Sequence, residues 1–519
     1  MSTKDNFIAA VQNSYKDGVK GIALGAGMLD GHVIPEAKVS LPLRTLNRHG
    51  LIAGATGSGK TKTLQILSEQ LSAFGVPSLL MDIKGDLSGI AQPGVLNPKI
   101  EDRSRAIGIS FQAHGNPVEL LTLSSEKGVR LRATVSEFGP VLFSKILELN
   151  ETQSGIVSVI FKYCDDKRLP LLDLEDIKSV LQHISKDGKA EFEASYGMVS
   201  VSSIGIILRK IIELEQQGAN NFFGEISFDV RDLTRLDSNG RGMISIVRLV
   251  DIQDKPKLFS TFMLQMLAEI YASFPEAGDV EQPKLAIFID EAHLIFQEAS
   301  KALLEQIETI IKLIRSKGIG VFFITQNPGD IPDAVLSQLG LKIQHALRAF
   351  TAKDRKQIKL TAENYPISEF YDTETLLTSL GMGEALITVL SEKGNPTPLA
   401  ATHLQAPRSR MDILTPQEIE SINNQSELVK KYSDLIDRDS AFEILNGKLK
   451  SASAENTNTF NPNATNSPTV TSNSSNEPSV FEKGVGAVGD FAKSSAGKMI
   501  LREVTRGILG VLGLGGKRR

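Results

Sequence analysis

The chain has 519 residues, 41% hydrophobic and 23% charged, with a formal net charge of −4. It is long enough to bury a sizeable core, and its slightly acidic balance gives no support for bulk nucleic-acid binding while leaving a local basic surface open. One cysteine, Cys164, excludes a disulfide scaffold and points to a reducing, cytoplasmic setting; there is no zinc-ligand spacing, no signal-peptide pattern and no apolar run of the ~18 residues that a spanning helix needs.

Residues 1–46 read as a helix followed by short strands around GIALGAGMLDG and HVIPEAKVSLPL, with Asp30-Gly31 as the hairpin turn. From about residue 47 the pattern becomes α/β: an apolar run at Leu51–Ala53, a glycine-rich loop, a helix from Thr61 to about Phe74, then the strand-like SLLMDI. Alternation of this kind predicts a parallel sheet with right-handed crossovers. It pauses after the first part of the core, 47–127, because 128–220 reads mostly as helix and is expected to be a helical insertion. The core resumes over 221–410 with a strand at Gly242–Val247, a helix near Leu258–Ser273, the strand Lys284–Asp290, a helix over roughly 300–316 and the strand Gly320–Gln326. Residues 411–450 read as C-terminal helices. The Ser/Asn/Thr/Pro-rich 451–480 is too polar to order itself and reads as a disordered linker. The tail 481–519 carries eight Lys/Arg against three Asp/Glu, so 8 − 3 = +5, around an apolar ILGVLGLG run. A short basic, Gly-broken tail suits an anionic surface, a neighbouring subunit or plain solvent.

The most specific motif is Gly54, Ala55, Thr56, Gly57, Ser58, Gly59, Lys60 and Thr61, which fits the Walker A form G-x-x-x-x-G-K-[ST] and lies between an apolar strand and a helix. Its glycines let successive N–H groups turn toward phosphates, and the helix N-terminus adds partial positive charge. Lys60 should reach the β- and γ-phosphates, Thr61 should ligate Mg²⁺, and Lys62 continues the nucleotide-binding run. A second motif, Leu285-Ala286-Ile287-Phe288-Ile289-Asp290-Glu291, is a buried-strand run ending in two acids, the Walker B pattern. Asp290 is expected to hold Mg²⁺ and Glu291 to act as general base on the attacking water. A third strand, Val321–Thr325, delivers Gln326 to the same edge, where it either positions water beside the γ-phosphate or simply forms the Thr-Gln-Asn-Pro turn.

Together the segments RHGLIAGATGSGKT, MDIKGDLSG, IFIDEAHLIF, LIRSKGIGVFFITQNPGDIP and QHALRAFTAKDRK resemble the HerA/FtsK group of P-loop ATPases, and within it the bacterial HerA-like (YjgR-type) ATPases, over about residues 20–410. The resemblance implies a RecA-like sheet with helices on both faces, ATP as substrate, and a ring, usually a hexamer. The segment before residue 47 leaves no room for the N-terminal barrel of HerA, so a DNA motor, an ATPase acting on a protein held by the helical insertion, and a nucleotide-gated scaffold all stay open. In such rings an arginine from the neighbouring subunit stabilises transition-state charge. Arg315 is the first choice for that trans position, with Arg348 and Arg355 behind it. Asp82, Lys84 and Asp86 follow a strand and face the catalytic edge. The resemblance places them near the γ-phosphate or a subunit boundary, while Lys-Gly-Asp is equally good turn chemistry. His293 follows the Walker B acids and either couples the site to a partner or caps a helix. His345 and His403 have no metal-ligand spacing, and Cys164 reads as a small buried hydrophobe.

Overall fold

The computed structural model describes residues 2–447 apart from 16–19, 125, 254, 279, 299–300, 392 and 434–438. The expected linker and basic tail therefore lie outside the described residues. One compact unit extends to Ser440; a second begins at Ala441, and of it residues 441–447 are described and are helical.

The first unit is built on a mixed sheet of 12 strands. In chain order they are β1 Gly21–Leu29, β2 His32–Pro42, β3 Gly50–Ala53, β4 Ser78–Asp82, β5 Val118–Thr122, β6 Val129–Arg130, β7 Ile244–Arg248, β8 Leu285–Ile289, β9 Ile319–Thr325, β10 Leu341–His345, β11 Glu384–Val389 and β12 Ala400–Leu404. Their spatial order is β2-β1-β12-β11-β10-β3-β9-β8-β4-β7-β5-β6. From β10 to β6 every neighbouring pair is parallel. From β10 back to β2 every pair is antiparallel.

The parallel part follows from composition. Every residue of β3, β4, β8 and β9 is buried, as a strand covered on both faces requires. Phe288 of β8 stacks on Phe322 of β9 with ring centroids 4.8 Å apart. Helix Lys60–Ala73 crosses from β3 to β4 and buries Leu64, Leu67 and Leu71, one stripe of a 3.6-residue period. Each such leucine contributes roughly 1.5–3 kcal/mol by leaving water.

The antiparallel part was not signalled by the βα alternation. The hairpin β1–β2 turns at Asp30 and Gly31, both at positive φ (50° and 76°), the geometry that lets a two-residue turn match strand twist. It does not stand apart from the core: β1 pairs with β12, so residues near the start of the chain extend the central sheet. Between β6 and β7 the chain forms the helices Val135–Ile146, Glu151–Lys167, Leu174–Ser185, Lys189–Tyr196 and Val201–Gln216. The first three begin with reciprocal capping boxes, Thr134 with Glu137, Asn150 with Gln153 and Asp173 with Asp176. Cys164 lies buried in the second, its thiol pushed well above its ordinary pKa by burial.

Candidate nucleotide site

In a parallel sheet the backbone N–H groups at the start of the following helix and the polar residues ending each strand collect at one edge. Here β3, β9, β8 and β4 are neighbours, so the loop 54–61, Gln326, Asp290-Glu291 and Asp82–Asp86 all emerge along that edge.

The loop is pinned at both ends. Gly54 N–H donates to Thr325 O (3.2 Å) and Ala55 N–H to Ala346 O (2.8 Å). Gly383 N–H donates to Ser58 O at 3.0 Å. Gly54 has φ 151°, and a Cβ there would stand 2.5 Å from the His345 Cβ, so only glycine fits. Gly59 takes φ 115° as the residue before the helix. The Lys60 ammonium sits inside the loop, donating to Gly54 O (2.7 Å) and Ala55 O (3.2 Å). Burial, then repulsion from Lys84, lowers its pKa.

Beneath the loop lies a support that sequence reasoning missed. His345 ends β10 and is fully buried. Its Nδ1–H donates to Glu384 O at 2.9 Å, since a carbonyl can only accept, which leaves Nε2 to accept from the Thr63 hydroxyl at 2.9 Å. Burial holds the ring neutral, with a pKa lowered to about 4. Arg103 braces the neighbouring turn, donating to Leu404 O (2.8 Å), Gly383 O (3.0 Å) and Met382 O (3.0 Å). The signal that could have found His345 is the one that marks Walker B: a polar residue closing an apolar strand.

The Walker B acids are buried, Asp290 3% and Glu291 6% exposed. Burial raises Asp290 to a pKa of about 6, against the pull of Lys84. Its Oδ2 has no hydrogen-bond partner among the described residues. A buried carboxylate oxygen without a donor is a hard ligand that fits Mg²⁺, and Thr61, in the first turn of the helix Lys60–Ala73, offers a hydroxyl of the same kind. Glu291 takes φ 46°, in the left-handed region, which costs about 1 kcal/mol for a side chain with a Cβ. Ala292 N–H then bonds Ile324 O at 2.9 Å, so the turn is tied to β9 and Glu291 is aimed along the sheet edge. Its Oε1 contacts the Lys84 ammonium and its Oε2 lies 3.2 Å from His293 Nδ1.

The structure divides the Asp82–Asp86 segment between its two expected readings. Asp82 is a turn residue: it accepts from the N–H groups of Gly85 (2.7 Å), Asp86 (3.2 Å) and Leu87 (3.1 Å). Burial raises it to a pKa of about 7. Lys84 faces the site. The Lys62 ammonium donates to Met411 O at 2.8 Å.

Gln326 is exposed at the end of β9 and lines, with Ala55, Thr56, Asn327, Arg348 and Phe350, a cavity of 420 Å³ beside the loop. Arg315 is exposed in the turn before β9, at the sheet edge opposite the loop of its own chain, so it joins no site within one chain. Arg348 is held locally, donating to Thr378 O at 3.1 Å, and Arg355 is exposed on the helix Ala352–Glu363. His403 Nδ1 lies 3.2 Å from Glu384 Oε1.

A glycine-rich loop between β3 and a helix, with an acid-ended strand two places away in a parallel sheet, defines a P-loop ATPase fold. The family model for the helicase HerA-like C-terminal region matches residues 29–519, and the chain belongs to that family. Relatives include the DNA double-strand break repair helicase HerA of Sulfolobus acidocaldarius, 24% identical over 378 residues, covering 67% of this chain and 64% of that protein. The probable helicase MJECL08 of Methanocaldococcus jannaschii is 24% identical over 422 residues, covering 77% and 72%. The chain spans slightly under two thirds of the length of the HerA relative. Among solved structures, the plasmid coupling protein TrwB with a non-hydrolysable ATP analogue has a TM-score of 0.51 at 15% identity, covering 80% of this chain and 95% of that one, which shows the shared fold. TrwB has also been solved with ADP and Mg²⁺. Among the described residues no helix is long and apolar enough to cross a membrane.

Proposed function

We propose that the protein binds MgATP on the loop Gly54–Thr61 and hydrolyses it to ADP and phosphate, as a subunit of a ring in which Arg315 of one copy completes the site of the next. The observation that carries the reading is the convergence of Lys60, Asp290 and Glu291 on one sheet edge, with Glu291 buried and aimed by a left-handed turn. Lys60 and the loop N–H groups bind the phosphates. Asp290 and Thr61 would hold Mg²⁺, which supplies charge neutralisation to the β- and γ-phosphates. Glu291 takes a proton from water as the water oxygen bonds to the γ-phosphorus and the bond to the β,γ-bridging oxygen breaks, releasing ADP. Gln326 orients that water from the end of β9. Burial of the acids strengthens each of these interactions relative to water.

Replacing Lys60 by Ala should remove nucleotide binding. Glu291→Gln should keep binding and lower turnover about 10²–10⁴-fold, the usual weight of a general base. Either variant turning over ATP like the wild type overturns the reading. DNA is the favoured polymer acted on, because relatives are named for it: a repair helicase and the DNA import protein CedB of the same Sulfolobus species, 24% identical over 355 residues. A DNA motor should show turnover stimulated by single- or double-stranded DNA. Turnover indifferent to both favours a protein partner at the helical insertion, and negligible turnover with normal binding favours a scaffold.

A further inference from the structure

Lys84 is launched from a fixed turn. The three N–H groups held by Asp82 fix the backbone on its C-terminal side, and β4 fixes it on the other. β4 lies next to β8, so the side chain extends toward the Walker B acids. There its ammonium contacts Glu291 Oε1. The two partners differ in freedom: the side chain of Lys84 is 39% exposed and that of Glu291 is 7% exposed. Glu291 cannot leave without rearranging a buried left-handed turn, whereas Lys84 can swing along the surface at the cost of one ion pair. The Lys84 charge also reaches Asp290 and repels the Lys60 ammonium, so it lies within electrostatic range of the loop lysine as well as of the acids.

A general base takes its proton best when no cation competes for its carboxylate. Here the Lys84 ammonium contacts Glu291 Oε1, while Oε2, 3.2 Å from His293 Nδ1, makes no hydrogen bond among the described residues. We propose that Lys84 is a second phosphate-binding cation, which holds Glu291 idle until the terminal phosphate of a bound nucleoside triphosphate draws it away. That phosphate carries more negative charge than a carboxylate and presents three strong acceptor oxygens, so it is the better partner for an ammonium group. A diphosphate lacks it and leaves the Lys84–Glu291 pair intact. The exchange therefore frees the base only when a nucleoside triphosphate is bound.

The inference rests on the ATPase reading, and binding measurements separate the two. Fluorescent ADP and a fluorescent non-hydrolysable ATP analogue are titrated, each with Mg²⁺, into the full chain of the wild type, Lys84→Ala and Lys84→Arg. Loss of a charged hydrogen bond predicts that Lys84→Ala weakens the analogue about tenfold or more. ADP affinity should stay at its wild-type value, and Lys84→Arg should restore most of the preference. An unchanged ratio of analogue to ADP affinity in Lys84→Ala overturns the proposal and leaves the ATPase reading standing. A parallel fall in both affinities also overturns it, because it makes Lys84 a structural support of the loop. A wild type that binds neither nucleotide defeats the ATPase reading and this proposal with it.

Discussion

His345 makes the loop's support sensitive to acid. In the fold its Nδ1–H is committed to Glu384 O and its Nε2 accepts from Thr63, so a second ring proton would point at a hydroxyl inside a closed environment. The folded pKa of about 4 is lowered by burial from the ordinary 6.5. The unfolded chain therefore binds more protons than the fold below about pH 6.5. Stability due to neutral His345 is complete above that pH and declines as the pH falls toward 4. At about pH 5 the two pKa values imply a loss of about 2 kcal/mol. His49, whose Nδ1 accepts from Val321 N–H (3.0 Å) and whose Nε2–H donates to Ile311 O (2.9 Å), is likewise lowered to about 4 and adds a similar loss. Urea unfolding of wild type and His345→Gln at about pH 7.5 and about pH 5 isolates the first contribution, because all other titrating groups are shared. The variant should be weaker by about 1–3 kcal/mol at the higher pH, from a buried partner left unpaired, yet lose about 2 kcal/mol less on acidification. An equal acid-induced loss in both proteins refutes the assignment of a neutral His345 beneath the loop.

Two further outcomes follow from the site. Gly54→Ala drives a Cβ to 2.5 Å from His345 and cannot keep φ 151° without strain, so nucleotide affinity should fall more than tenfold; wild-type affinity by titration with fluorescent ADP contradicts the packing argument. If Arg315 acts across a subunit boundary, Arg315→Ala and Glu291→Gln should each be inactive alone, and mixing the two should recover part of the turnover, since some interfaces then pair an intact Glu291 with an intact Arg315. Mixtures no more active than the separate proteins place the completing arginine elsewhere.

The sequence by itself determined the elements whose physics is local. The strand-loop-helix unit around 54–61 was legible because an apolar run, closely spaced glycines and a helical period follow one another there. β3, β4, β8 and β9 were legible because strands buried on both faces are uninterrupted apolar runs, and the acids 290 and 291 because they interrupt such a run at its end. Tertiary structure alone decided what depends on contacts between distant segments. No local pattern shows that β1 and β2 join the sheet beside β12, nearly 400 residues away in the chain, because antiparallel pairing is chosen by which edge is open. Nor does local pattern show that His345 lies under Gly54, since the two meet only when β10 pairs with β3. The role of Lys84 was undecidable from Lys-Gly-Asp, which makes a good turn in any setting. It acquired a partner when β4 was placed beside β8, so that a turn lysine and a buried glutamate, more than 200 residues apart in the chain, came within an ion pair of each other.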